Sequence, residues 1–248
     1  MEDTDDYTYT EKTASYTITV TPCYGTKAPE EAKVLGDIVF ADGSATPYKE
    51  GLTLSSDLKG KAVAVIFYVG KECSDDDATI RTLGMGMDYN AYEGVWCRSG
   101  AEAVAKWIEA LEGKKDGSRS FEKLAATVND TNDQDNYPPF KYANNYSSRV
   151  SGTKYEKGWY LPSITELTQL RKNLDLVNAA LKVCGGRELA TKIYWNDGNE
   201  SRNCGYWSSS ATGNNYVYYY DFSDDRSWTQ KKFSYENNKY SCAIHAFD

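Results

Sequence analysis

The chain has 248 residues, with 36 Asp and Glu against 28 Lys and Arg, and a formal net charge of −8. That length admits one large domain or two, at roughly 100–200 residues each, and is enough to bury a core. The acidic balance, with no basic stripe, excludes a nucleic-acid partner and charge-driven docking on anionic lipid. No apolar run nears the roughly 20 residues that span a bilayer.

Residues 2–13 are acidic and Thr-rich, lack a charged n-region and an apolar h-region, and read as a solvated leader, not a signal peptide. Residues 14–21 alternate apolar and polar, which predicts a strand. Residues 34–40 predict a second, closed by the turn-forming Asp42-Gly43. The continuous apolar run 61–69 fits a strand buried on both faces. Over 99–111, Val104, Trp107, Ile108 and Leu111 fall on one stripe and predict an amphipathic helix ended by Gly113. A shorter helix over 120–128 presents Phe121, Leu124, Ala125 and Val128.

The polar stretch 129–136 and Tyr137-Pro138-Pro139 predict loop. Its aspartates at 130, 133 and 135 are of the type that binds calcium. Without a loop glycine or distal bidentate glutamate they read as solvated loop, and Asp75, Asp76 and Asp77 read the same way. Ser163 and Glu166 form a capping box that starts a helix with Ile164, Leu167, Leu170 and Leu174 as its buried stripe. A further helix over 176–184 stops at Gly185-Gly186, where a left-handed cap wants glycine. From Ile193 on, short aromatic strands alternate with Asn, Asp, Gly and Ser turns, and 243–247 predicts a final strand. With no linker and no repeat, we read a flexible leader over 1–13 and one α+β domain over 14–248, two principal helices set against antiparallel strands.

Six cysteines, at 23, 73, 97, 184, 204 and 242, form no CxxC or Cys/His cluster, so no zinc site is predicted. Their 15 possible pairings stay open. Cys242, in an apparent core strand, reads as an inert buried thiol. The sole histidine, His245, has no sequence-evident partner and reads as structural, not as a general base.

The C-terminal region, about 195–240, is rich in Tyr, Trp, Asn and Ser. Tyr and Trp supply large, stiff contact area while Ser and Asn add adaptable hydrogen bonds, the mixture of recognition surfaces and not of catalytic sites. Strand alternation assigns Tyr216, Tyr218, Tyr220 and Phe222 to the core face and Val217, Tyr219, Asp221 and Ser223 to the surface, because the second set carries the charge.

Three stretches in order, Gly158-Trp159-Tyr160-Leu161-Pro162-Ser163, Tyr206-Trp207-Ser208-Ser209-Ser210 and Cys242-Ala243-Ile244-His245-Ala246-Phe247, resemble the C-type lectin-like, formylglycine-generating-enzyme-related variable proteins of diversity-generating retroelements. Upstream, Gly36-Asp37-Ile38-Val39-Phe40-Ala41-Asp42-Gly43, Arg81-Thr82-Leu83-Gly84 and Trp96-Cys97 are similar to surface lipoproteins of treponemes, which points to the Treponema variable proteins within that family.

The resemblance implies a C-type lectin-like fold, no enzymatic activity and no cofactor. It also implies a hypervariable C-terminal region whose codons are rewritten by adenine-directed mutagenesis. Trp207, Tyr218, Tyr220, Phe222, Ile244 and Phe247 would be scaffold. The displayed, ligand-binding set would be drawn from Asn196, Asp197, Asn199, Ser201, Asn203, Asn214, Tyr216, Tyr219, Asp221, Ser223, Asp225 and Trp228. Tyr216 is kept despite alternation because it adjoins the turn at Gly213-Asn214.

The partner would be a protein or a host or microbial surface molecule. The place would be the cell surface or outer membrane, through a lipid anchor that the sequence does not itself show. The alternatives are a formylglycine-generating-enzyme-like oxidase, although Cys184, Cys204 and Cys242 lack the matching surroundings, and a non-variable adhesin. Glu200 and Asn203 would be the candidates for calcium-dependent sugar binding, at an unspecific spacing.

Overall fold

Two short strands, β1 (Asp37–Phe40) and β2 (Ala45–Pro47), are joined by the Asp42-Gly43 turn. Gly43 takes φ +92° there and Asp42 Oδ1 accepts the Ser44 N–H at 2.9 Å. A single helical turn, α1 (Ser56–Lys59), leads into β3 (Ala62–Gly70) and the long β4 (Arg81–Gly94). Then come α2 (Ser120–Ala125), α3 (Pro138–Asn145), α4 (Ile164–Lys172) and α5 (Leu174–Cys184). Strands β5 (Ile193–Tyr194), β6 (Glu200–Ser201), β7 (Gly205–Thr212), β8 (Tyr216–Asp221), β9 (Arg226–Lys231) and β10 (Lys239–Ala246) follow. This computed structural model describes residues 23–194, 200, 201, 204–233 and 239–248. The expected leader over 1–13 and strand over 14–21 lie outside the described residues.

Eight strands form one sheet in the order β2-β1-β3-β4-β10-β7-β8-β9. Every neighbouring pair is antiparallel except β10 with β7, so the last strand of the chain closes the middle of the sheet. Period-2 alternation in β3 sends Val65 and Phe67 to one face, where Leu167, Leu170, Val177 and Leu181 of α4 and α5 cover them. Ala64 and Ile66 go to the other, against Trp96, Leu124, Phe140 and Tyr146. All of these are buried, and each large apolar side chain so covered contributes roughly 1.5–3 kcal/mol. The run 61–69 is thus a strand buried on both faces, as its continuous apolarity requires. Among the described residues no helix is long and apolar enough to cross a membrane.

The sheet overturns the expected fold class. Two principal helices on short antiparallel strands, in a C-type lectin-like fold, are replaced by a mixed eight-stranded sheet with short helices on both faces. Its β4 runs 14 residues while the longest helix among the described residues, α5, has 11. A strand apolar on both sides needs two covering layers: α4 and α5 supply one, and α2 and α3 contribute to the other.

Two local expectations also fail. The stripe over 99–111 forms only 3-10 turns at Glu102–Val104 and Glu109–Leu111. The buried Lys232 Nζ donates to the carbonyls of Ala103 and Lys106, acceptors that a continuous helix would use for its own bonds. At Pro138-Pro139 a helix begins instead of a loop, because proline loses nothing at the first helical positions, whose N–H groups are unpaired anyway. The capping box at Ser163 and the left-handed Gly185 (φ 78°) after α5 stand as expected.

Candidate recognition surface and cationic cleft

The three stretches that carry the resemblance meet at the start of α4. Tyr160 and Ile244 exchange backbone hydrogen bonds at 3.0 and 3.1 Å, and the Ser209 N–H donates to the Pro162 carbonyl at 2.8 Å. The Ile164 N–H donates to Ser210 Oγ at 3.0 Å. Beneath them Glu166 is buried, its carboxylate accepting the N–H of Ser163 (2.7 Å) and Gly117 (3.3 Å) and the Tyr160 hydroxyl (2.9 Å). Burial pushes its carboxyl up to about 7, against the Ser163 N–H, which favours the charged form. Arg81 donates to the same Tyr160 oxygen at 3.2 Å and pairs with Asp116 (2.7 Å) and Asp248 (3.2 Å). This network locks β4, α4 and the last residue together.

From that base β7, β8 and β9 run to the edge of the sheet. Trp207, Ala211 and Val217 are buried on one face, and Tyr206, Tyr220 and Phe222 on the other. The one-face alternation expected of β8 therefore fails: Val217 and Asp221 are buried, not displayed, because β8 lies between two strands and both faces are covered near β7. Asp221 is withdrawn from the displayed set, since its Oδ1 accepts the N–H of Ser223 at 2.9 Å and shapes the turn to β9. Tyr219 is half-buried, with Trp207 at 6.0 Å between centroids and Lys239 Nζ at 4.4 Å from its ring, so it packs more than it displays. Ser223 is half-buried in the same turn.

Asn214, Tyr216, Asp225 and Trp228 are exposed, Tyr216 by 43% and Trp228 by 45%. They do not form one patch. Tyr216 faces Lys231 across the β8–β9 ladder and Trp228 faces Tyr219, so the two rings lie on opposite faces of the sheet. Asp225 sits at the far turn, about 17–20 Å from the Asn214 end at roughly 3.3 Å per residue, accepting the Tyr220 hydroxyl at 3.1 Å. Asn196, Asp197, Asn199 and Asn203 lie outside the described residues, and Ser201 is placed only as part of β6.

At the Asn214 end, Val104, Ala105, Asn215, Lys231 and Phe233 line an open groove of about 380 Å³. Its floor is Lys232, whose amine also donates to the Asn214 carbonyl at 2.7 Å and is brought down to about 8 by burial. Three backbone carbonyls on one ammonium hold this turn in place, a rigid support for the side chains above it.

A larger cleft, about 510 Å³, opens elsewhere, lined in part by Asp88, Arg98, Asp135, Lys141, Arg149 and Arg187. No sequence reading singled these out as one site: they are dispersed over a hundred positions and share no motif. β3 pairs with β4 only as far as Gly86, so β4 runs on beside β10 alone, and α3 and the segment after α5 wall the gap.

Other sequence candidates hold structure together. Asp130 accepts the Tyr137 hydroxyl at 2.6 Å and the Glu102 N–H at 2.9 Å, and Asp135 pairs with Lys141. Asp76 accepts from Ala78 and Thr79, Asp75 from the Lys115 N–H, and Asp77 pairs with Lys115. No group of three or more His, Cys, Asp or Glu suited to a metal occurs among the described residues. His245 donates to the Lys157 carbonyl at 2.8 Å within a ring cluster of Tyr155, Trp159 and Phe247, and burial lowers its pKa. Burial pushes the Cys184 and Cys242 thiols up to about 12, so both are neutral thiols near neutral pH.

No family model matches the chain, and no curated protein matches it either. Among solved structures, a fimbrial protein from Bacteroides ovatus is similar in fold, with a TM-score of 0.58 at 16% identity, over 86% of this chain. The match covers 49% of that protein, so this chain spans about half its length.

Proposed function

We propose that the protein is a non-enzymatic, surface-displayed ligand-binding protein whose recognition residues lie on the outer β7–β8–β9 end of the sheet. The observation that carries this reading is the pair of large aromatic side chains, Tyr216 and Trp228, left in solvent at the rim of the sheet, Tyr216 on β8, whose Val217 and Tyr220 are buried, and Trp228 on the exposed edge strand β9. Rigid exposed aromatics with polar neighbours are the usual anchors of protein interfaces. Asn215 and Lys231, which line the open groove, and the neighbouring exposed Asn214 and Tyr216 are the primary contact set, and Trp228 is a second contact on the face opposite Tyr216. The fimbrial fold neighbour supports a place at the cell surface. Neutral, buried Cys184 and Cys242 weigh against the oxidase alternative.

Diversification of these positions by a retroelement remains part of the proposal through the three motif stretches alone, without the lectin-like scaffold. Its test is genomic: a near-copy of the coding segment for 195–248, differing at adenines and lying beside a reverse-transcriptase gene. Absence of that copy removes diversification and leaves a fixed adhesin using the same surface. Recognition itself is tested by probing an array of surface proteins and glycans with the wild-type chain and with Tyr216→Ser/Trp228→Ser. The proposal expects partners bound by the first to be lost by the second, at unchanged circular dichroism; retention of all partners rejects it.

A further inference from the structure

The cleft at the open edge of β4 carries an inference that goes beyond the outer hairpin, since it shares no residue with it. Four cationic side chains, Arg98, Lys141, Arg149 and Arg187, converge there with two carboxylates, Asp88 and Asp135. The site is thus net positive by two in a chain of net charge −8. The arginines are aimed by protein groups. Arg98 Nε donates to the Asp135 carbonyl at 2.7 Å, Arg149 pairs with Asp88, and Arg187 lies 4.4 Å from the Tyr89 ring centroid and 3.9 Å from Asp88. Planar guanidinium forks held this way match a carboxylate, which they can grip with two parallel bonds.

The two carboxylates decide what else the ligand must have. A compact anion leaves the acceptor oxygens of Asp88 and Asp135 without donors, whereas a ligand with one acid group and many hydroxyls donates O–H to them while its acid meets the arginines. Asn145 and Ser148 add amide and hydroxyl groups on the α3 side. Tyr142 adds a ring, and its buried hydroxyl has no hydrogen-bond partner among the described residues. A volume of about 510 Å³ lies within the roughly 300–1,000 Å³ of small-molecule sites. We propose that this cleft binds an acidic sugar, a carboxylate-bearing saccharide unit, with Arg187 and Lys141 among its acid-binding groups and Asp88 and Asp135 accepting its hydroxyls.

The test is calorimetric titration of the full chain with glucuronate, glucose and inorganic phosphate as separate probes. The expected result is saturable glucuronate binding, at least tenfold stronger than that of glucose or phosphate. It should weaken at least fivefold in Arg187→Ala and in Lys141→Ala, and remain unchanged in Tyr216→Ser/Trp228→Ser. Both cleft side chains are about half exposed, so the variants should fold, and thermal melts check this. No saturable glucuronate binding, equal binding of glucose, phosphate binding as strong as glucuronate, or unaltered binding by both cleft variants would each overturn the proposal. Failure here leaves the outer-hairpin reading untouched, because that reading is scored on Tyr216 and Trp228.

Discussion

Tyr206 and Tyr216 are ten positions apart, on adjacent strands of one sheet, yet one is fully buried and the other is 43% exposed. Tyr206 lies on β7 beside β10, where helices cover the face, and packs against Tyr89, Phe222 and Tyr240. Tyr216 begins β8, one strand from the sheet edge, next to the turn. The same residue type is framework at the centre and contact surface at the rim, so place in the strand order, not tyrosine content, separates the two duties. The aromatic loading of the C-terminal region is therefore two populations.

The sharpest contrast is between two tryptophans. Trp207 is 1% exposed and its Nε1–H donates to the Gly94 carbonyl at 2.6 Å. Trp207→Ala should cost about 3–5 kcal/mol in urea unfolding. Trp228→Ala should stay within about 0.5 kcal/mol. Similar losses at both sites would erase the distinction between framework and rim.

Glu166 tests whether the motif junction is as dry as its packing says. Its carboxyl is raised to about 7 in the fold from an ordinary 4.5, so the folded state binds a proton that the unfolded chain has released between those values. Its contribution to stability is full below about pH 4.5 and is lost as pH rises through 7. The expected fall is on the order of 2–3 kcal/mol, read from urea midpoints at pH 5 and 8. Glu166→Gln keeps an acceptor for the Ser163 and Gly117 N–H groups and should flatten that pH difference; an unchanged pH difference in the variant would assign it to other groups. Smaller still, Val217→Ala should cost about 2 kcal/mol, two buried methylene equivalents plus the space left beside Ala211. A value near zero would mean that β8 is not packed on that face.

Local chemistry was legible in the sequence. The apolar run of β3, the Ser163/Glu166 box and the Gly185 stop each follow from a few adjacent residues. What failed depended on partners far along the chain. Nothing near 103–106 announces that Lys232 will take its carbonyls, and without that clamp the stripe over 99–111 reads as a helix. Nothing in β8 announces that neighbours on both sides bury Val217 and Asp221. The insertion of β10 between β4 and β7 is likewise invisible to periodicity, and so is the cleft, whose cations come from the loop after β4, from α3, from the turn after it and from the segment after α5. Of the candidate site, the exposed Asn214, Tyr216, Asp225 and Trp228 belong to the set that the family resemblance implies, and only Tyr216 is tied to a local signal, the turn at Gly213-Asn214.

The central claim is that a stiff framework holds exchangeable side chains at its rim, and it is tested most directly by saturating positions 204–233 with all substitutions and reading folded-state survival under protease. The account predicts that Asn214, Tyr216 and Trp228 accept nearly every residue, whereas Tyr206, Trp207, Val217, Tyr220, Phe222 and Lys232 accept few. Tolerance spread evenly along these strands, or intolerance at Tyr216 and Trp228 matching that at Trp207, would contradict it.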